Sequence, residues 1–94
     1  MRWKIIWDDL KAEKNSEKHE VSFEEAASVF QNPLAHTSPD DHPHEDRMLL
    51  IGHSEQQRLL LVVYVERQDD IYRIISARKA TVKERIDYEE GLRS

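Results

Sequence analysis

Residues 58–66 read RLLLVVYVE, a run whose apolar residues fall at both parities of strand alternation. Such a strand buries both of its faces, which places it inside a sheet rather than at an edge. Two further strand-like runs flank it, MLLIGH at 48–53 and IYRIISA at 71–77, and short polar turns separate the three. The spacing predicts an antiparallel meander with 58–66 as its central strand.

The first third of the chain predicts one strand and two helices. RWKIIW at 2–7 is rich in aromatic and β-branched residues, which favour a strand, and helix-forming residues follow from Asp8 to His19. A second helix begins at a capping box of Ser22 and Glu25. Its apolar residues, spaced i, i+3, i+4 and i+7 along one face, are Phe23, Ala26, Ala27 and Phe30.

A polar connection follows the second helix. Asn32 and Pro33 end that helix, because proline lacks an N–H donor and restricts the residue before it. Residues 34–37 suit a short edge strand. Residues 38–46 contain two prolines and no apolar periodicity, which is typical of a solvated loop.

A last helix begins at a capping box of Thr81 and Glu84, carries Val82 and Ile86 at i and i+4, and ends at Gly91. The element order β-α-α-β-β-β-β-α predicts a single α+β domain over residues 1–94. In this domain the helices pack on one antiparallel sheet of four or five strands. The residues expected in its core are Phe23, Ala26, Phe30, Leu61, Val63, Ile74 and Ile86.

The composition restricts the class of protein. A chain of 94 residues supports one core, and the absence of cysteine excludes disulfides, thiolate metal sites and a thiol nucleophile. The N-terminal apolar run is too short for a signal peptide or a membrane span, so we expect a cytoplasmic protein with no membrane partner. A formal net charge of -5 argues against a protein that coats nucleic acid, so any phosphate-binding surface must be local.

Such a local surface is found between residues 71 and 85, where the only acid is Glu84. Strict alternation places Arg73 and Arg78 on opposite faces of a strand, so both reach one site only if a bulge intervenes. We therefore favour Arg78 over Arg73 as a functional residue. The alternative is a basic surface that is merely solvated. The basic residues of the segment are Arg73, Arg78, Lys79, Lys83 and Arg85.

Two motifs carry a resemblance to a known family. N-x-x-KH-x-VSFEEA begins at Asn15, and RIISAR-x-AT-x-xER begins at Arg73. With these motifs the chain resembles the BrnT toxins of bacterial type II toxin–antitoxin systems over almost its whole length. The resemblance implies a RelE-like fold, ribonuclease activity and inhibition of translation. Because the residues offer no convincing set of metal ligands, we expect cleavage that needs neither a metal nor another cofactor. The resemblance also implies neutralisation by a BrnA-type antitoxin, in a heterotetramer that binds operator DNA only through the antitoxin.

The chain departs from the family pattern at Glu20, where the family usually has glycine after the lysine–histidine pair. That position suits a residue that ends a helix in the left-handed backbone conformation. Glutamate in this conformation costs on the order of 1 kcal/mol, because its Cβ approaches the backbone.

RNA cleavage without a metal needs a base for the ribose 2′-hydroxyl proton, a cation for the charge on phosphorus and an acid for the leaving oxygen. His19 is our candidate acid or base, and Lys18 and Arg78 are the other candidate catalytic residues. The alternatives are a histidine that caps helix carbonyls and an ordinary surface lysine. The candidate RNA contacts are Arg47, Arg73, Lys79, Lys83 and Arg85.

Two weaker patterns leave other functions open. Trp3 and Trp7 share strand parity and offer a stacking surface for bases, although such residues more often belong to a core or an antitoxin contact. Imidazoles and carboxylates also crowd one segment, but they match no standard metal spacing and favour a solvated loop. These residues are His36, Asp40, Asp41, His42, His44, Glu45 and Asp46. The alternative functions are a non-catalytic toxin-fold protein that binds an antitoxin-like partner and, less favoured, a metal-responsive binder.

Overall fold

The computed structural model describes residues 4–41 and 46–93, and within them five strands form one sheet that carries three helices. The strands and helices follow one another in the predicted order. The elements are β1 (Lys4–Ile6), α1 (Asp9–His19), α2 (Phe23–Val29), β2 (His36–Pro39), β3 (Arg47–His53), β4 (Leu59–Arg67), β5 (Ile71–Lys79) and α3 (Val82–Arg93), with a 3-10 turn at Gln68–Asp70 between β4 and β5.

The sheet has the strand order β1-β5-β4-β3-β2, so β4 is the central strand, as its apolar sequence predicts. β3 and β5 flank β4 in antiparallel pairs, which confirms the meander. β1 differs from the expectation, because it pairs with β5 in parallel, with Lys4 opposite Ile71. The sheet is therefore mixed. Short hairpins force antiparallel pairing, whereas two strands from opposite ends of the chain are free to run in either direction.

β2 lies two residues later than the sequence indicates. Its four residues are all exposed, and it forms one edge of the sheet against β3. Ser38 and Pro39, which were expected in the loop, belong to this strand. An edge strand tolerates proline because one row of its N–H groups has no partner strand.

Helices α1 and α2 cover one face of the sheet and enclose the main core. Of the residues predicted to be buried, Phe23, Ala26, Leu61 and Ile74 are buried, and Phe30 and Val63 are half-buried. Phe30 follows the end of α2 and packs edge-on against Tyr64, with ring centroids 5.0 Å apart. The main core consists of Val21, Phe23, Ala26, Val29, Leu50, Leu60, Val62, Tyr64, Ile74 and Ala77.

The predicted packing face of α3 is wrong. Val82 and Ile86 are 76% and 49% exposed, and the helix is anchored instead by Tyr88, which is 4% exposed. The Tyr88 hydroxyl donates a hydrogen bond to the Leu34 carbonyl oxygen over 3.1 Å. Two apolar residues at i and i+4 therefore define a stripe but do not determine which face packs, because a single large aromatic residue contributes more buried area.

Gly91 does not end α3, which continues to Arg93, so the predicted C-cap is also wrong. A Cβ on Gly91 would lie 3.4 Å from Cε1 of His36. This is an ordinary van der Waals distance, so the packing of α3 against β2 does not require a glycine at this position.

Of the two hydrogen bonds that make up the predicted capping box of α2, only one forms. The Ser22 hydroxyl accepts a hydrogen bond from the Glu25 N–H over 3.0 Å, but the Glu25 carboxylate does not return to the Ser22 backbone. Glu25 is instead buried, at 2% exposure, and forms an ion pair with Arg58 and accepts from the Ser54 hydroxyl. The hydrogen bond from Arg58 lowers the Glu25 pKa. This pair fastens α2 to the turn between β3 and β4.

Glu20 ends α1 in the left-handed backbone conformation, and mutation can measure the free-energy cost of that conformation. It follows α1 with φ 58° and ψ 33°, and its N–H donates to the Ser16 carbonyl oxygen over 2.9 Å. We predict that Glu20→Gly raises the free energy of unfolding by about 0.5–1 kcal/mol, because relief of backbone strain exceeds the extra freedom of the unfolded chain. Thermal or urea denaturation measures the change. Glu20→Ala is the matched control, since it removes the carboxylate but keeps the Cβ, and an equal gain in that variant would contradict the explanation.

Candidate active site

A cleft of about 440 Å³ lies where the end of α1 meets the end of β5. Lys18 and His19 come from the last turn of α1, and Arg78 and Lys79 come from the last two positions of β5. The structure thus brings together the three candidate catalytic residues and one of the candidate RNA contacts. Glu20 and Thr81 complete the lining.

The side-chain amide of Asn15 holds the two walls of this cleft together. β1 pairs only with the first three residues of β5, so the edge of β5 further along has no neighbouring strand. Asn15 occupies that edge: its Nδ2 donates to the Ala77 carbonyl oxygen over 2.8 Å, and its Oδ1 accepts from the Ala77 N–H over 3.1 Å. Nδ2 also donates to the Val21 carbonyl oxygen over 3.0 Å. One buried side chain therefore fixes α1 against the residue before Arg78.

The role of Asn15 was not predicted from the sequence, although a signal was present. Asparagine is a poor residue for a helix interior, because its side chain competes for backbone hydrogen bonds. It stands three positions before Lys18, in the middle of α1, and is the buried residue of that helix. Such a residue in a helix of otherwise exposed polar side chains indicates a specific structural task.

The side chains of His19 and Lys18 line the cleft and have no bonded partner among the described residues. His19 is half-buried and Lys18 is exposed. Within 4–41 and 46–93, neither side chain makes a hydrogen bond or ion pair, so the alternative of a histidine that caps helix carbonyls has no contact in its favour. Their place in the last turn of α1 puts positive charge at the negative end of the helix dipole, which is favourable.

Arg78 is held by Glu84, a contact that the sequence analysis did not foresee. Its two terminal nitrogens donate to the two carboxylate oxygens over 2.8 and 2.9 Å, and one of them also donates to the Lys79 carbonyl oxygen over 3.2 Å. Glu84 also forms the predicted capping box with Thr81, accepting from its N–H over 2.8 Å. The first turn of α3 thus orients the guanidinium group at the cleft.

These contacts set the charge states of the pair. The hydrogen bonds from Arg78 lower the Glu84 pKa to about 2, and the carboxylate raises the Arg78 pKa. Glu84 is therefore ionised at neutral pH and does not serve as a proton donor. The lining of the cleft has three cations, Lys18, Arg78 and Lys79, and the carboxylate of Glu20, and the Glu84 carboxylate pairs with Arg78 beside it. The local balance is therefore one net positive charge. This balance suits a phosphate group.

The basic segment does not form one continuous surface. A register shift between Val63 and Tyr64 creates the bulge that puts Arg73 and Arg78 on the same face of β5. The two residues are nevertheless five positions apart, roughly 16 Å along a strand, and Arg73 does not line the cleft.

The other candidate RNA contacts also lie outside the cleft. Lys83 and Arg85 pair with Asp87 and Glu89 on the surface of α3. Arg47 begins β3, opposite Val65, near Arg73 rather than near the cleft.

The weaker patterns gain no support. Trp7 packs edge-on against Phe23, with ring centroids 6.0 Å apart, and thus borders the core, while Trp3 lies outside the described residues. His42, His44 and Glu45 also lie outside them, and across the described ranges no group of three histidines or carboxylates is arranged to hold a metal. The His36 ring instead packs against Tyr88 at 5.4 Å.

The protein is thus a small α+β domain with a basic cleft at the end of its sheet. A family model described as the ribonuclease toxin, BrnT, of type II toxin-antitoxin systems matches residues 7–84. The chain belongs to this family.

Two further comparisons bear on the relationship. The chain is similar to the ribonuclease toxin BrnT of Brucella abortus, whose crystal structure superposes with a TM-score of 0.69 at 26% sequence identity. The match covers 85% of this chain and 99% of that one. No curated protein matches the sequence. Across the described residues, none of the helices is long and apolar enough to cross a membrane.

The Glu84–Arg78 ion pair makes the free energy of unfolding depend on pH in the acidic range. The pKa of Glu84 falls from an ordinary value of 4.5 to about 2, so its contribution is complete above pH 4.5 and is lost as the pH falls towards 2. At full strength such a shift is worth about 3 kcal/mol, and solvent screening of this partly exposed pair reduces that to about 1 kcal/mol. We predict that Glu84→Gln flattens the pH dependence of unfolding between pH 4.5 and 2.

Urea denaturation at several pH values measures this effect. Glu89→Gln is the matched control, because the Glu89–Arg85 pair is longer, at 4.0 Å, and more exposed. An unchanged pH profile in the Glu84 variant would show that the pair does not contribute to stability.

Proposed function

We propose that this protein is a cytoplasmic ribonuclease that inhibits translation by cleaving RNA without a metal ion. The observation that carries the proposal is the convergence of Lys18, His19, Arg78 and Lys79 on one cleft of about 440 Å³. Membership in a family of ribonuclease toxins supports the same activity. The proposal includes neutralisation by a BrnA-type antitoxin, in a heterotetramer that contacts operator DNA through the antitoxin.

In this mechanism, His19 takes the proton from a ribose 2′-hydroxyl as the 2′-oxygen attacks the adjacent phosphorus. The bond between phosphorus and the 5′-oxygen breaks, and the leaving oxygen takes a proton from a solvent water, which leaves a 2′,3′-cyclic phosphate and a 5′-hydroxyl. Arg78 and Lys18 stabilise the negative charge that builds on the phosphate oxygens, and Lys79 binds a neighbouring phosphate. Because Glu84 already orients Arg78, the guanidinium group needs little rearrangement to meet the substrate.

The structure also offers an argument for the alternative, a non-catalytic toxin-fold protein that binds an antitoxin-like partner. Glu84 occupies two donors of Arg78 that a phosphate would otherwise use, and Glu20 adds a second carboxylate at the cleft. In this alternative the cleft residues are retained without turnover. Toxicity separates the two functions.

We predict that Arg78→Ala relieves the growth arrest caused by expressing the protein without antitoxin, while the melting temperature falls by no more than about 4–8 °C, the shift that corresponds to losing about 1 kcal/mol from the Glu84–Arg78 pair. Arg78→Lys gives a partial effect, because lysine keeps the charge but loses the planar fork. His19→Ala lowers the cleavage rate by roughly 100-fold to 10,000-fold if the imidazole is an acid or base. Growth after induction, cleavage of RNA by the purified protein and melting curves provide the measurements.

Arg93→Ala is the matched control for these variants, since Arg93 is exposed at the far end of α3. It is expected to retain toxicity. Full toxicity of the Arg78 variant would remove Arg78 from the site. A parent protein that is harmless and does not cleave RNA would favour the non-catalytic alternative.

A separate experiment tests whether RNA cleavage is independent of metal ions. We predict that the purified protein cleaves RNA at the same rate in excess EDTA, because the proposed proton transfers and charge stabilisation use His19, Lys18, Arg78 and water alone. Loss of cleavage in EDTA, with recovery on adding one divalent ion, would reject this part of the mechanism.

A further inference from the structure

The sheet has a second face, which α1 and α2 do not cover. In-register residues of paired strands point to the same side, so Ile6, Arg73 and Val65 form one row across β1, β5 and β4. Ile71 and Arg67 form the next row. Their neighbours in sequence, of the opposite parity, pack on the main core. We call Ile6, Val65, Arg67, Ile71 and Arg73 the open-face patch.

This patch borders a cavity of about 510 Å³, which is larger than the active-site cleft. Trp7 and Asp8 complete its lining beside four members of the patch. Ile6 is 36% exposed, although it is a large aliphatic residue. α3 does not cover the patch, because its anchor Tyr88 contacts Leu34 and the two rings of His36 and His53 at the other end of the sheet.

The charges of the patch are unpaired, in contrast to those of α3. In the part of the chain that the structure describes, Arg67 and Arg73 make no side-chain hydrogen bond or ion pair. Lys83 and Arg85 on α3 are each matched by an acid one turn later. The Asp8 carboxylate, which also lines the cavity, caps α1 through the N–H groups of residues 10 and 11 and, among the described residues, forms no ion pair with either arginine. Exposed aliphatic side chains beside two unpaired guanidinium groups are therefore an unusual surface on a protein of net charge -5.

We propose that the open-face patch is the docking site for an acidic segment of the antitoxin that carries aliphatic side chains. The inference rests on the proposed function, since it deepens the assignment of an antitoxin partner. Aliphatic residues fill the space between Ile6, Val65 and Ile71, and carboxylates pair with Arg67 and Arg73. RNA is the less suitable occupant, because base stacking needs an exposed aromatic face, whereas Trp7, the aromatic residue in the lining, is half-buried and packs against Phe23.

The position of the patch also suits neutralisation. Arg73 and Arg78 lie on the same face of β5, roughly 16 Å apart along the strand. A bound segment that continued along β5 for about five extended residues would reach the cleft. Docking on the patch thus anchors a partner beside the catalytic residues without using them.

The experiment uses the purified full chain and the purified product of the reading frame next to its gene. The test variant is Ile6→Asp with Arg67→Glu, which changes both the apolar and the charged part of the patch. The matched control is Val82→Asp with Lys14→Glu, which makes the same changes at exposed positions on α3 and α1. Calorimetric titration gives the affinity, and circular dichroism checks the fold of both variants. Arg67→Glu alone serves if the double variant does not fold.

We expect the patch variant to bind the partner at least 100-fold more weakly than the parent, and the control to bind within threefold of it. RNA cleavage by the patch variant is expected to stay within twofold. Binding of the patch variant within threefold of the parent, or no binding by the parent, would overturn the proposal. A loss of RNA cleavage with intact partner binding would also overturn it and would assign the patch to RNA. If the parent cleaves no RNA but the patch variant still loses the partner, the docking site stands and the ribonuclease proposal fails.

Discussion

The three hydrogen bonds of the Asn15 side chain are the constraint on which the candidate site depends. They satisfy both backbone groups of Ala77 at an edge of the sheet where no strand is available. Buried backbone groups without partners are costly, so this contact fixes α1 against β5 and leaves little freedom for sliding. The positions of Lys18 and His19 relative to Arg78 follow from it. A site assembled from the first and last parts of the chain requires such a fastening.

Carboxylates perform two different tasks in this acidic protein. Glu25 is buried and neutralised by Arg58, and it stabilises the junction of α2 with the β3–β4 turn. Glu84 lies at the cleft and orients Arg78 without being buried to the same degree. The overall negative charge therefore conceals local arrangements in which each functional cation has a defined electrostatic setting. Net charge excludes a coating protein, but it does not describe the cleft.

Much of the fold could be predicted from the sequence, because its signals are local. The two-sided apolar run at 58–66 gives the central strand, and the hydroxyls of Ser22 and Thr81 mark the beginnings of α2 and α3. The direction of β1, the packing face of α3 and the partner of Glu25 depend on contacts between distant segments, which no local pattern contains. The same holds for the site. Its members were identified by charge and by motif, whereas the Arg78–Glu84 pair emerges only when α3 is placed.

The parallel pairing of β1 with β5 has a consequence for synthesis of the protein. β1 begins at Lys4 and its partner at Ile71, so the sheet closes only after the residues of β5 have left the ribosome. Lys18 and His19 emerge early, but Arg78 emerges late and Glu84 later still. Contacts of such long sequence separation form slowly, because the loop between them must first be closed. Until Arg78 and Glu84 have emerged and β5 has paired with β1 and β4, the nascent chain therefore has Lys18 and His19 but no complete cleft.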